Sequence, residues 1–159
     1  MGTAYAATKS LGSDVSYQRL EGRAHGAQSW GPHTLNYAVS GGTALGSDMP
    51  AYESFVLGGP LRLSAYRVNQ FAGREYAFGR LMYYNRTFPL PDILGSGVYL
   101  GGSAEVGRMT DRFDGLPSAG TLWSGSVFLG ADTFLGPAYL GFGFGQAGNW
   151  SMYMLLGAP

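Results

Sequence analysis

The chain is short of three kinds of feature, and each shortage excludes a class of protein. It has no cysteine in 159 residues, which excludes a disulfide framework and thiolate chemistry. Only 13% of its residues are charged, against about 25% in a typical soluble domain. Lysine plus arginine equals aspartate plus glutamate, 10 each, so the chain lacks a nucleic-acid binder's positive surplus and we expect no nucleic-acid partner. No apolar run approaches the roughly 18 residues of a transmembrane helix.

Glycine and aromatic side chains are abundant instead, and they alternate with a period of two. The chain has 27 glycines, and 14% of its residues are aromatic. In residues 15–27, one face carries Arg19, Glu21 and Arg23, while the other is small or apolar from Leu20 onward. This alternation is typical of β-strands. It predicts an all-β, antiparallel fold of about eight strands, at residues 2–9, 15–27, 33–41, 75–88, 97–108, 121–132, 138–145 and 150–157.

The predicted connections alternate between short and long. Short turns rich in glycine and proline fall at residues 29–32, 89–92 and 135–137, and longer segments fall at about 43–74 and 109–120. Short turns at one end and long loops at the other are typical of an outer-membrane barrel. Strands of about 9–14 residues can also cross a bilayer when they are tilted. We therefore expect one transmembrane β-barrel segment over residues 1–159, with a long inserted loop at about 43–74.

The scarcity of charge favours the same interpretation, because the outside of a membrane barrel is apolar and its lumen is polar. A soluble up-and-down barrel, such as a lipocalin-like binder, is the alternative. Charges on a lipid-facing surface would cost about 2–4 kcal/mol each at the bilayer centre. We therefore assign the strand charges to the lumen: Arg19, Glu21, Arg23, Arg80 and Glu105. They form either a structural network or a docking surface for the long loop, whose own charges include Arg62 and Arg67.

Catalytic and metal-binding motifs are missing from the sequence. No serine lies in a G-x-S-x-G pattern, and no H-E-x-x-H or P-loop pattern occurs. The two histidines, His25 and His33, are more simply explained as hydrogen-bonded strand or turn residues than as a catalytic pair. The glycine pairs do not sit between a strand and a helix, as phosphate-binding glycines do. We expect no enzyme activity, no metal and no cofactor in this chain.

An ordered series of segments resembles the barrel of the bacterial surface antigen superfamily. The segment Tyr52 to Gly59, followed by Leu61 to Tyr66, is similar to the loop that these barrels insert into their lumen. The similarity continues through residues 76–86, 99–107, 128–132 and 135–141, and so covers nearly the whole chain. The family comprises barrels of outer-membrane assembly factors and two-partner-secretion transporters. The chain looks most like the branch that is fused to patatin-like phospholipases.

The resemblance implies a fold and a location. The family barrel has sixteen strands, five of them after the inserted loop, and the same count after residue 74 suggests the C-terminal half of such a barrel. It implies a bacterial outer-membrane location and lipid as a partner. The other partners would be the remaining N-terminal strands or a second copy, together with a passenger or patatin domain. The implied function is that of a membrane anchor or translocator. The alternative is a small eight-stranded barrel that binds or processes an apolar ligand or lipid.

The resemblance also implies roles for loop residues. In the family, a loop arginine pairs with acidic groups on neighbouring strands, and Arg62 or Arg67 with Glu105 would take those roles here. The chain departs from the family at the loop tip, where many members carry Arg-Gly-Tyr or Arg-Gly-Phe and this chain has Leu-Ser-Ala-Tyr at residues 63–66. It departs again at the end, where Leu156-Gly157-Ala158-Pro159 replaces the usual terminal aromatic residue.

Overall fold

A computed structural model describes residues 2–7, 17–45, 54–88, 97–112, 119–133 and 136–157. It is all-β and antiparallel, as predicted. One turn of 3₁₀-helix, Gln146–Gly148, precedes the last strand. The strands are β1 (Gly2–Ala7), β2 (Tyr17–Trp30), β3 (His33–Leu45), β4 (Phe55–Leu57), β5 (Phe71–Phe88), β6 (Val98–Arg112), β7 (Ala119–Thr133), β8 (Gly136–Gly145) and β9 (Trp150–Leu156).

The strands form one sheet in which neighbours in sequence are neighbours in space. The order is β1-β2-β3-β5-β6-β7-β8-β9, and the short β4 pairs with the first residues of β5. The eight predicted long strands are all found, although β2 is shifted toward Trp30 and β5 begins earlier, at Phe71. Strand β4 was not predicted. The pairings among the described residues leave β1 and β9 as the two edges of the sheet.

The connections on either side of β3 differ in length as predicted, whereas the predicted turn at 89–92 lies outside the described residues and residues 109–112 of the predicted 109–120 connection belong to strand β6. At one end, β2 joins β3 through Gly31 and Pro32 alone, and β7 ends three residues before β8 begins. At the other end lies the connection from β3 to β5, which contains β4 and the segment that follows it. Residues 8–16, 46–53, 89–96 and 113–118, including parts of the predicted first strand and inserted loop, lie outside the described residues.

The two faces of the sheet have opposite character. Residues 54–70, which we call the docked loop, pack against one face, and we call this the loop face. Its pairs in register include Arg80 with Glu105 and Glu105 with Ser124. The other side, the outer face, exposes apolar side chains on adjacent strands, with exposed fractions between 41% and 80% at Leu81, Leu100, Val106, Trp123, Val127, Leu129, Leu140, Phe142, Phe144, Met152 and Met154.

Candidate loop-docking site

The docked loop supplies half of the buried apolar residues that the structure describes. Seven of its side chains are at most 6% exposed: Phe55, Leu57, Leu61, Leu63, Ser64, Ala65 and Tyr66. Burying a leucine completely contributes about 1.5–3 kcal/mol. The loop therefore holds to the sheet chiefly through these side chains. Burial also raises the pKa of the Tyr66 phenol, which keeps that side chain neutral in its apolar surroundings.

The loop tip, residues 58–66, is closed by hydrogen bonds within its own backbone. The Gly58 N–H donates to the Arg62 carbonyl at 3.0 Å, and the Arg62 N–H donates to the Gly59 carbonyl at 3.0 Å. Leu61 and Leu63 adopt positive φ values of 55° and 74°, which L-residues avoid at a cost of about 1–2 kcal/mol each. Such a conformation persists only when its surroundings hold it in place. The contacts between the loop tip and the sheet are therefore needed to hold Leu61 and Leu63 in this conformation.

Glu105 on β6 is the central polar contact of the site. Its side chain is buried, with only 3% of the residue exposed. One carboxylate oxygen accepts the Ser64 N–H at 2.5 Å and the Ser124 hydroxyl at 2.8 Å. The other accepts the Ser64 hydroxyl at 2.7 Å and the Ser103 hydroxyl at 2.6 Å. Four donors match the lone pairs of an ionised carboxylate, so Glu105 links the loop tip to two strands.

Further serine contacts extend this link across the sheet. The Ser64 hydroxyl also accepts the Leu61 N–H at 2.8 Å. The Ser64 carbonyl accepts the Ser151 hydroxyl of β9 at 2.5 Å. Ser126 bonds the Ser103 hydroxyl at 2.8 Å and accepts the Tyr153 hydroxyl at 3.0 Å. The polar atoms of Ser64 are thus bonded by the Glu105 carboxylate on β6 and the Ser151 hydroxyl on β9, and the β6 and β7 serines hold that carboxylate in place.

Glycines on the loop face make room for the loop. A Cβ atom on Gly143 of β8 would collide with the Ser64 carbonyl, and one on Gly145 would lie 2.8 Å from the Ala65 Cβ. A Cβ on Gly107 of β6 would lie 3.1 Å from a Leu63 methyl carbon. The sequence pattern suggested that strand glycines mark bends, bulges or the close packing of an inserted loop. Gly143 and Gly145 mark close packing.

A second acidic residue, Glu21, lies nearer the start of the docked loop. It accepts two hydrogen bonds from Arg23, at 2.7 and 2.9 Å, and one from the Tyr76 hydroxyl at 2.6 Å. Arg19 pairs with the same carboxylate at 3.2 Å, and its guanidinium carbon lies 4.2 Å from the centre of the Phe55 ring. The predicted charges of β2 therefore form one network that reaches the loop through an aromatic ring.

The three predicted arginines outside β2 occupy different places. Arg80 donates to the Leu61 carbonyl and to the Asn36 side-chain oxygen, both at 3.3 Å, so it does touch the loop. Arg62 lies 5.7 Å from the centre of the Tyr76 ring. Arg67 is exposed.

The expected pairing of Arg62 or Arg67 with Glu105 is not found. Among the described residues, neither arginine forms an ion pair with Glu105. The loop group bound to Glu105 is Ser64. The physical reason is that the turn at Leu61–Leu63 directs the Ser64 N–H and hydroxyl toward β6. The arginine before that turn is left beside Tyr76.

Sequence reasoning missed the serines of this site: Ser64, Ser103, Ser124, Ser126 and Ser151. A weak signal existed, because Ser124 and Ser126 alternate on the same face of one strand. Their meeting with Glu105 depends on the β6–β7 register, in which Glu105 lies opposite Ser124 and Ser103 opposite Ser126. That register cannot be read from the period of two alone.

Within the described part of the chain, no group of three histidine, cysteine, aspartate or glutamate residues could hold a metal ion. None of the described helical segments is long and apolar enough to span a membrane. No protein-family model matches the chain, and a search of the curated proteins found no match. The resemblance to the surface antigen superfamily therefore stays a prediction.

Proposed function

We propose that this chain is a segment of a bacterial outer-membrane β-barrel that serves as a membrane anchor or translocator, with the docked loop held inside. The observation that carries the proposal is the broad apolar surface that the sheet exposes on its outer face, while Arg19, Glu21, Arg23, Arg80 and Glu105 lie on the loop face. Apolar side chains on the outer face are exposed from Leu20 of β2 to Met154 of β9. Buried polar groups, including Glu105, lie on the loop face. Lipid outside and a polar lumen inside would explain both faces.

The size of the outer apolar face supports this proposal. The outer face is seven strands wide, with neighbouring strands about 4.8 Å apart, and its outward residues extend over about 27 Å along the strands. Its area is therefore on the order of 900 Å². The largest apolar patch on a typical soluble monomer is about 300–600 Å². A face of this extent needs a covering, and in an outer membrane the covering is lipid.

The ends of the outer face carry aromatic side chains, as membrane barrels do at both interfaces. At the short-turn end, the rings of Trp30 and His33 stack with centroids 6.1 Å apart. At the loop end, Trp150 stacks on Phe142 at 5.9 Å, and Trp123 is 52% exposed nearby. The charged residues Glu75 and Arg108 also lie on the outer face at the loop end. The apolar band is thus bounded by amphipathic and charged residues.

The docked loop favours a barrel wider than eight strands. The interior of an eight-stranded barrel has room only for side chains. Here main-chain atoms of Ser64 lie directly against Gly143 and Ser151. An open sheet edge is also not tolerated in lipid. We therefore propose that further strands, on the N-terminal side in the parent protein, complete the barrel between β1 and β9. A second copy of the chain is the alternative partner.

The loop geometry is compatible with the surface antigen resemblance and changes one of its details. Ser64-Ala65-Tyr66 stands where the family carries Arg-Gly-Tyr or Arg-Gly-Phe. If the chain is a family member, a serine hydroxyl and its N–H replace the family's arginine at the loop tip. We expect no chemistry in this chain, and any patatin-like hydrolysis would belong to an upstream domain.

The experiment is to measure the intact mass of the native product in the outer-membrane fraction, detected through this segment. A mass well above 16.9 kDa in that fraction is expected, and it would support a segment of a larger barrel. A product near 16.9 kDa in that fraction would contradict the half-barrel proposal. A product that is soluble without detergent would overturn the membrane proposal and favour the small ligand-binding barrel.

A further inference from the structure

A cavity of about 410 Å³ lies between the docked loop and the strands beside it. It is bounded by the loop segment Pro60 to Arg62 and by residues of β2, β3, β5 and β9. Its described lining includes three guanidinium groups, those of Arg23, Arg62 and Arg80, and none of the described lining residues is an aspartate or glutamate. Arg23 is paired with Glu21, so Arg62 and Arg80 are the cavity arginines without an ion pair among the described residues.

Two of these guanidinium groups have donors without an acceptor. The Nε atoms of Arg62 and Arg80 are buried and have no hydrogen-bond partner. Arg80 uses its two terminal nitrogens on the Leu61 carbonyl and on Asn36. A buried donor without a partner costs about 1–3 kcal/mol, and more when it is charged. The two arginines that line the cavity thus carry N–H groups for which the described part of the protein supplies no acceptor.

The nearby carboxylates cannot supply those acceptors. Glu105 lies opposite Arg80 in register, but its oxygens accept from Ser64, Ser103 and Ser124. Glu21 accepts from Arg23, Arg19 and Tyr76. Each acidic side chain is committed to its own cluster, so the charge in the cavity is left for a separate anion.

We propose that this cavity binds an oxyanion, a phosphate or carboxylate group of a diffusible molecule, between Arg62 and Arg80. Arginine binds such groups with paired N–H donors, and these charge-assisted bonds are the strong ones. Asn36 and Ser40 add polar atoms to the wall, as does Arg23, whose charge is paired with Glu21. The site would join the docked loop to β5 through the anion. The proposal is independent of whether the outer face meets lipid.

The test is binding of inorganic phosphate to the full-length natural protein purified in detergent, measured by titration calorimetry and by thermal unfolding at constant ionic strength. Saturable binding is expected, with an increase in the unfolding temperature. Arg62→Gln and Arg80→Gln should each weaken the affinity by about tenfold to a hundredfold, because each removes a charge-assisted contact. Arg67→Gln is the matched control, because Arg67 belongs to the same loop but is exposed and does not line the cavity.

Two results would overturn the proposal: no effect of phosphate on the unmodified protein, or an equal loss of affinity in the Arg67→Gln variant. The second result would indicate general attraction between phosphate and positive charge. Arg80→Gln also removes a contact that supports the loop, so Arg62→Gln decides if the Arg80 variant does not fold. Arg62→Lys should recover part of the affinity because it restores the charge without the forked donors.

Discussion

The two faces of this sheet are built by different rules. The outer face is the simpler one, because most of the large side chains between its two ends are apolar and exposed. The loop face is specific, because Glu105 must meet Ser64, Ser103 and Ser124 at hydrogen-bond distance. A face that only repels water tolerates many side chains, whereas a face that holds a particular loop depends on exact partners. Changes at the two faces should therefore fail for different reasons.

The largest effect is expected from a charge placed in the middle of the outer face. Val127→Arg lies at the centre of β7, where the native side chain is 55% exposed. If this face meets lipid, the variant should lose about 2–4 kcal/mol of folding free energy in lipid vesicles. Thr121→Arg, on the same face near the loop end, should lose about 0–1 kcal/mol. If both variants lost equally little folding free energy, the result would indicate that water, not lipid, covers the face.

The next largest effect is expected from a methyl group added beneath the loop. Gly143→Ala directs a Cβ atom into the Ser64 carbonyl, and overpacking of this kind costs about 1–3 kcal/mol. Gly22→Ala is the control, because its Cβ would meet no atom within 4 Å. Urea unfolding in detergent, followed by tryptophan fluorescence, compares the two. A loss in Gly22→Ala as large as that in Gly143→Ala would contradict close packing as the cause.

Removing the charge of Glu105 should release the loop while leaving the sheet intact. In Glu105→Gln an amide N–H₂ faces donors that the carboxylate oxygen accepted, at a cost of about 1–3 kcal/mol. Trypsin cleavage after Arg62, inside the docked loop, should become about five- to a hundredfold faster. Glu75→Gln is the control, because Glu75 accepts from Thr43 and Thr110 at the rim and not from the loop. Unchanged cleavage after Arg62 in Glu105→Gln would count against docking through this carboxylate.

The smallest effect is expected at the second acidic cluster. Tyr76→Phe removes the 2.6 Å bond to Glu21 but leaves the ring packed against Phe55 at 5.0 Å. Because Glu21 keeps its two arginines, we expect a loss of about 1 kcal/mol in the urea experiment. Tyr37→Phe, on the outer face, should change stability by less than about 0.5 kcal/mol. A larger loss at Tyr37 would show that its hydroxyl has a structural role.

Much of the fold could be predicted because each strand carries its own local signal. The alternation in β8, with Leu140, Phe142 and Phe144 against glycines, marks both a strand and its two faces. The docked loop could not be predicted in this way: its strand-like sequence at 57–67 forms turns, β4 is only three residues long, and Leu61 and Leu63 have backbone angles that local preferences oppose. The candidate charges were on the correct face, but their partners were not predictable.

The sequence by itself determined the eight long strands, the short connection from β2 to β3, the long one from β3 to β5, and the face that carries Arg19, Glu21, Arg23, Arg80 and Glu105. These features are local, since a period of two and the position of turn residues do not depend on distant contacts. Only the tertiary structure decided that Glu105 binds Ser64 and not a loop arginine, and that Gly143 lies under the loop tip. Those pairings join residues 41 or more positions apart, and they follow from strand register and the path of the loop. Neither is encoded in any single segment.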